Sequence, residues 1–208
     1  MVSIANRRSV MVLYSDPVTP VSHCVRIVLA EKDINVEVNF VTGDDRPEEL
    51  AELNPYNSIL TLIDRDLVLY EAQIIMEYLD ERFPHPPLLP VDPVARASNR
   101  QLRYRVMRDL YKLIDDIEGE NELAAANARK TIRDNLTAIA PAFEQRPFFM
   151  SDEYSLVDCC MAPLLWRLNS YAIKLPSSAK PLIQYGERLF ARPAFKESLS
   201  DKEKEINV

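Results

Sequence analysis

The chain has 208 residues, 47% of them hydrophobic and 27% charged, with a formal net charge of −7. This composition is ordinary for a globular protein, and the length suits one large domain or two small ones. The acidic balance argues against general binding to nucleic acid or to an anionic membrane, since both need a cationic surface. No apolar run approaches the roughly 20 residues of a spanning helix. Met1 to Arg8 is polar and lacks the hydrophobic core of a signal peptide, so a cytoplasmic protein is expected. Three cysteines, two of them the adjacent Cys159 and Cys160, and two histidines supply neither a CxxC pair nor a zinc cluster. Buried reduced thiols, no metal and no cofactor are the expectation.

Val10 to Tyr14 predicts a short strand, closed by the turn-forming Ser15-Asp16-Pro17. Val21, Cys24, Val25, Val28 and Leu29 recur at helical spacing, which puts Cys24 on an apolar face. Val36, Val38 and Phe40 alternate with Glu37 and Asn39, as in a half-buried strand. Asp45 is positioned to cap a short helix with Pro47 in its first turn, packing through Leu50 and Leu53. Leu60 to Ile63 and Leu67 to Tyr70 predict two strands joined by a tight turn at Asp64-Arg65-Asp66. A helix with Ile74, Ile75, Tyr78 and Leu79 on its inner face then stops at Pro84.

Beyond Pro93 the pattern is helical. One helix runs from Ala95 to Ile117, the acidic stretch Glu118 to Glu122 forms an exposed break, and a second helix extends through Phe143. Ser155 to Asp158 has the form of a capping box, in which the serine hydroxyl and the carboxylate satisfy amides reciprocally. A buried helix from Cys159 to Leu168 follows, then two more helices ending near Leu199. The order β-α-β-α-β-β-α and then helices predicts an α/β plus all-α protein. Its parts are a thioredoxin-like domain over 1–84, a proline-rich linker over 85–92 and an all-helical domain over 93–208.

The linker is the most unusual stretch: Phe83-Pro84-His85-Pro86-Pro87-Leu88-Leu89-Pro90. Proline fixes φ, lacks an N–H and pushes the preceding residue toward extended geometry. Pro84 therefore ends the helix and Pro86 holds His85 extended, which predicts a stiff segment with unpaired carbonyls and with Leu88 and Leu89 turned inward. As a spacer, His85 simply reaches water. As a contact residue, it gains from a rigid backbone that binds with little ordering cost.

Other polar and aromatic residues have plainer readings. His23 stands at a helix start, where positive charge opposes the dipole, so a neutral imidazole, solvated or locally hydrogen-bonded, is expected rather than a base. Arg96, Arg100 and Arg103 share one helix face and read as solvated partners of acidic neighbours, with an interface contact as the alternative. Tyr104, Tyr111, Trp166 and Tyr171 read as core packing.

Several segments carry a family resemblance: Val25 to Lys32, Leu53-Asn54-Pro55, the Ser155 to Asp158 box and Ala191 to Phe195. Together they resemble the glutathione S-transferase superfamily over nearly the whole chain. Ile75 to Pro90, Pro93 to Arg96, Ser155 to Cys159 and Ala162 to Leu168 are more narrowly similar to the stringent starvation protein A family. That resemblance implies a homodimeric bacterial transcription regulator, active in stress or starvation. It would bind RNA polymerase holoenzyme, including the sigma factor, through a surface centred on Pro84, His85 and Pro86. No direct sequence-specific nucleic-acid binding and no conjugating activity are implied.

The residues test the enzymatic alternative separately. A glutathione site needs a hydroxyl or thiol after the first strand, and here Ser15, Thr19 and Ser22 all qualify. It needs a cis-proline before the third strand. Ile59-Leu60 replaces the Val-Pro of that pattern, a departure from the narrower family as well, and a cis bond before leucine costs about 3 kcal/mol, against about 1 or less before proline. It also needs an acidic–serine pair where amides and the helix dipole hold a carboxylate; Glu71 is present, but Ala72 replaces the serine. Ser15, Ile59, Leu60, Glu71 and Ala72 are thus expected to form a vestigial glutathione site, with no catalytic residue. A glutathione-dependent transferase and a dimeric scaffold without a polymerase role remain the competing readings.

Overall fold

The strand β1 (Met11–Ser15) is buried along its whole length, because one apolar cluster covers Met11 and Leu13 and another covers Val12 and Tyr14. The computed structural model describes residues 10–56 and 58–206; Met1 to Arg8, where no signal peptide was expected, lie outside the described residues. After β1 come α1 (Pro20–Glu31), β2 (Val36–Phe40), α2 (Glu48–Leu53), β3 (Thr61–Asp64), β4 (Leu67–Tyr70) and α3 (Ala72–Arg82). The sheet order is β2-β1-β3-β4, parallel between β1 and β2 and antiparallel elsewhere. This is the expected thioredoxin-like layer, with a helical domain packed against it.

The helical part begins with α4 (Pro93–Val106), which passes through a π-helical turn at Met107–Tyr111 into α5 (Lys112–Glu118). The long helix read from sequence is thus continuous but widened in its middle. Next, α6 (Glu122–Ile139) tightens into a 3-10 turn at Ala140–Glu144, so the α-helix ends before Phe143. Asn121 ends the acidic break by accepting the Leu123 and Ala124 amides. Then come α7 (Leu156–Trp166), α8 (Lys180–Ala191), α9 (Pro193–Ser198) and α10 (Asp201–Glu205). The last of these lies beyond the Leu199 end expected from sequence, and is started by a capping box between Ser200 and Glu203. The box at Ser155 and Asp158 is formed as expected.

One apolar core joins the two layers where α1 packs on α7, and it includes Cys24, Val25 and Val28 of the first and Val157, Cys160 and Leu164 of the second. The three cysteines are free and buried. Among the described residues no helix is long and apolar enough to cross a membrane.

Several side chains depart from the sequence reading, among them Phe40, expected on the inner face of β2 but 51% exposed. Asp45 lies in a 3-10 turn and does not cap α2, whose N-cap is Pro47 with no side-chain bond. Ile74 is 53% exposed, because the buried stripe of α3 is Ile75, Met76 and Leu79. Tyr104 is also 53% exposed and lies under the Arg108 guanidinium instead of in the core; Tyr111 and Tyr171 are buried. Trp166 packs edge-on against Phe190 and Phe195.

Candidate partner-binding site

Pro84, His85, Pro86 and Pro87 are exposed, while Leu88 and Leu89 are buried as expected. The segment between them does not run extended. It bends at His85 and Pro86, whose peptide bond is cis. Nor are all of its carbonyls unpaired. Lys32 Nζ, at the end of α1, donates to Phe83 O at 2.7 Å and to Pro86 O at 2.6 Å. The same ammonium donates to Asp80 Oδ1 of α3 at 2.5 Å. Two carbonyls three residues apart that share one ammonium force the chain to fold back, and this turns Pro84 and His85 outward. Further along, Asp80 Oδ1 accepts the Leu88 amide, Leu88 O accepts the Leu156 amide that opens α7, and Arg96 Nε donates to Pro90 O.

Strand register gathers the residues of the expected glutathione site at the other end of the sheet. Tyr14 pairs with Thr61, and Thr61 with Tyr70. One step further along that register come Ser15 at the end of β1, Leu60 just before β3 and Glu71 just after β4. The loop Phe83, by contrast, lines a cavity of about 300 Å³ with Val10, Met11 and Asp64, at the opposite edge.

The chemistry of that group is poor for a thiolate. Ser15 is fully buried, and its Oγ accepts Arg26 Nη1 at 2.5 Å while lying 3.2 Å from the Asp16 carbonyl. Ser22 Oγ accepts the Asp16 amide. Thr19 is the N-cap of α1 but makes no side-chain capping bond. Asp16 organises the turn, its Oδ1 accepting the Val18 and Thr19 amides at 2.7 and 2.8 Å. His85–Pro86 is the one cis peptide bond among the described residues, so Ile59–Leu60 is trans. Leu60 packs in the main core and Ile59 against Val12, Tyr14, Val41 and Leu50. Ala72 is buried with no hydroxyl to offer, while Glu71, the N-cap of α3, is exposed with φ of 72°. A left-handed backbone at a non-glycine residue is a costly geometry, and here it survives at a helix N-terminus.

Behind these residues is a fully buried polar joint. Arg26 of α1 and Arg167, just past α7, both donate to the carboxylate of Glu203 in α10. His23 is not solvated. Its ring lies 2.9 Å from Ser198 Oγ and 3.2 Å from Arg167 Nη1, and burial, Arg167 and Arg26 together hold its pKa well below the usual histidine value. His23 thus takes the locally hydrogen-bonded, neutral form of the expectation, whereas the arginine face on α4 is less solvated than expected. Arg103 is buried and, with Arg100, reaches Glu77 of α3, tying the sheet layer to the helical one. Burial alone would raise the Glu77 carboxyl, but hydrogen bonds from Arg100 and Arg103 outweigh it and lower the pKa.

Comparison with known proteins places this geometry. Residues 13–87 match the family described as glutathione S-transferase, N-terminal domain, and residues 100–193 its C-terminal domain. A stringent starvation protein A homolog of Coxiella burnetii is 48% identical, covering 96% of this chain and 96% of its own. The chain belongs to the stringent starvation protein A family. A homolog from Pasteurella multocida is also 48% identical, over 96% of this chain and 94% of its own. Among solved structures, a delta-class glutathione transferase of Nilaparvata lugens superposes with a TM-score of 0.83 at 22% identity, covering 94% of this chain and 96% of that one. At that identity the likeness establishes the fold alone.

The residues that brace the site in this stringent starvation protein A family member were not singled out by sequence reasoning, although a signal was present. Lys32 continues the apolar series Val25, Val28 and Leu29 at helical spacing, and Asp80 continues Met76 and Leu79. A charged residue on an apolar stripe is buried and must be paired. That Lys32 and Asp80 pair with each other could not be read from the chain.

Proposed function

We propose that this protein is a transcription regulator of the stress or starvation response that acts by binding RNA polymerase holoenzyme, including its sigma factor, without glutathione-conjugating activity. The observation that carries this reading is the exposed Pro84-His85-Pro86 turn on a backbone braced at Phe83 and Pro86, in a chain of this family. Prolines present apolar faces at small entropic cost, and His85 adds one hydrogen-bonding group. Contact with DNA would be secondary, the net charge of −7 being unsuited to it.

The working form would be a cytoplasmic homodimer. Tyr56 and Ile74, exposed on the sheet layer, and an apolar groove of about 750 Å³ lined by Leu102, Val106, Leu110, Ile139 and Phe143 offer surfaces for a second copy to cover. The domain limits 1–84, 85–92 and 93–208 belong to the same proposal.

Capture of purified holoenzyme by the immobilised protein tests the reading. Binding should be lost in His85→Ala and kept in Ser15→Ala; equal binding by both variants overturns the assignment of the surface. The second reading, a glutathione-dependent transferase, draws its support from Glu71, whose left-handed N-cap leaves the α3 amides free to meet a carboxylate.

A further inference from the structure

The side chain of Lys32 is fully buried, beyond the last turn of α1. An ammonium has three N–H donors, and here each meets one acceptor: Asp80 Oδ1, Phe83 O and Pro86 O. No donor is left for a ligand or for proton transfer. Two of the three acceptors are backbone carbonyls that bracket Pro84 and His85. The third, Asp80, balances the charge and also accepts the Leu88 amide at 2.8 Å. The chain is therefore fixed before, within and after the exposed turn from one point.

As a mere stabilising device this pair would be a poor choice, because a buried ion pair often contributes no more than two apolar side chains of similar volume. Its particular use follows from the loop's composition. Pro84, Pro86 and Pro87 have no N–H, so the turn's own backbone offers one donor, the His85 amide. Further donors must come from outside, and one ammonium can serve two carbonyls where a backbone amide serves one. We infer that Lys32 is the positioning residue of the docking loop: it does not touch the partner but sets the angle at which Pro84 and His85 meet it. This inference rests on the reading that the loop is the docking surface.

The test compares three proteins for affinity to purified RNA polymerase holoenzyme: wild type, His85→Ala, and the double variant Lys32→Met with Asp80→Asn. Removing the ammonium alone would strand a buried carboxylate. The double variant removes both charges and keeps an amide oxygen for the Leu88 N–H, so that it folds. It is expected to stay folded but to melt below wild type, because the Phe83 and Pro86 carbonyls lose their donor, to bind the holoenzyme at least about tenfold more weakly, and to move the His85 ring signal in the NMR spectrum away from its wild-type position. A purely structural role leaves that signal in place. If His85→Ala loses binding while the double variant binds like wild type, or loses affinity with the His85 signal unmoved, the positioning role is overturned and the docking surface stands. If His85→Ala binds like wild type, the docking surface itself is wrong and the inference fails with it.

Discussion

Arg26 Nη2 lies 2.5 Å from Glu203 Oε2, joining the first helix to the last across 177 residues of sequence. Arg167 takes the other oxygen of the same carboxylate, and Trp166 Nε1 donates to the Glu203 carbonyl at 3.1 Å. Ser200 completes the attachment by donating to Pro17 O. The C-terminal turn is thus pinned over the β1–α1 loop, and the arginine it anchors is the one that occupies Ser15. A single carboxylate consequently affects both the domain joint and the chemistry available at Ser15.

Glu203→Gln should therefore be severely destabilising. It leaves two guanidinium groups buried without a counter-charge, and breaking a buried pair in this way costs about 3–5 kcal/mol. The midpoint of urea unfolding reads the loss. Asp201→Asn, in the same helix but 99% exposed, serves as the control and should stay within about 0.5 kcal/mol of wild type.

The same joint makes stability depend on pH in a defined direction. His23 is completely buried, faced by Arg26 from α1, Arg167 from the end of α7, Ser198 from α9 and Glu203 from α10. Its folded pKa is depressed, so above pH of about 6.5 both folded and unfolded states hold it neutral. Below that pH the unfolded imidazole takes up a proton and the folded one does not. Stability then falls by about 1.4 kcal/mol per pH unit until the folded pKa is reached. Asp158, whose carboxyl burial pushes up, runs the opposite way, so the comparison must be with a variant. Urea midpoints at pH 7.5 and 5.5 should diverge in wild type by more than in His23→Gln; equal pH dependence in the two proteins would show that His23 is not the group responsible.

Asp158 gives a third expectation. Its carboxylate accepts the Phe149 amide at 2.9 Å, the Ser155 amide at 2.8 Å and the Tyr185 hydroxyl at 2.6 Å, so it ties together α7, α8 and the loop between them and α6. Asp158→Ala orphans these three donors and frees the Ser155 hydroxyl, which also donates to it; each buried donor left unpaired costs about 1–3 kcal/mol, so stability should fall by at least about 3 kcal/mol. Ser155→Ala loses only the hydroxyl cap, about 1 kcal/mol. Denaturant midpoints of the two variants should rank in that order.

Asp158 also marks what a sequence can and cannot disclose. The Ser155–Asp158 box, the stop at Pro84 and the hairpin about Arg65 depend on neighbours within four residues, and their physics is visible in the chain. So is the alternation from Val36 to Val38, although it breaks at Phe40, which is exposed. The partners of Lys32, Arg26 and Arg103 lie 48, 177 and 26 residues away, and are fixed only once α1, α3, α4 and α10 have packed. Composition could say that these charges need partners, but not which ones. Ile74 and Tyr104 failed for another reason. Helical periodicity locates an apolar stripe without setting its width, and each stands just beyond the edge that packing draws. The linker's carbonyls were misread because proline's missing N–H says nothing about donors arriving from α1.

Glutathione is expected not to stabilise the protein, nor the double variant Leu60→Pro with Ala72→Ser. Restoring those two residues returns the sequence pattern, but Ser15 Oγ still accepts Arg26 and is still buried beneath the C-terminal turn. A hydroxyl already engaged by a guanidinium that is itself held by Glu203 cannot turn to a thiolate without breaking the joint. A working site saturated at about 100 times its Kd would add about 2.7 kcal/mol of stability. For a chain of this length that is a rise in melting temperature of about 5–10 °C. Thermal melts with and without millimolar glutathione make the measurement. A shift of that size in the wild-type protein, accompanied by conjugation of an electrophile, would overturn the non-enzymatic reading; a shift only in the double variant would show that Leu60 and Ala72, rather than Arg26, hold the site closed.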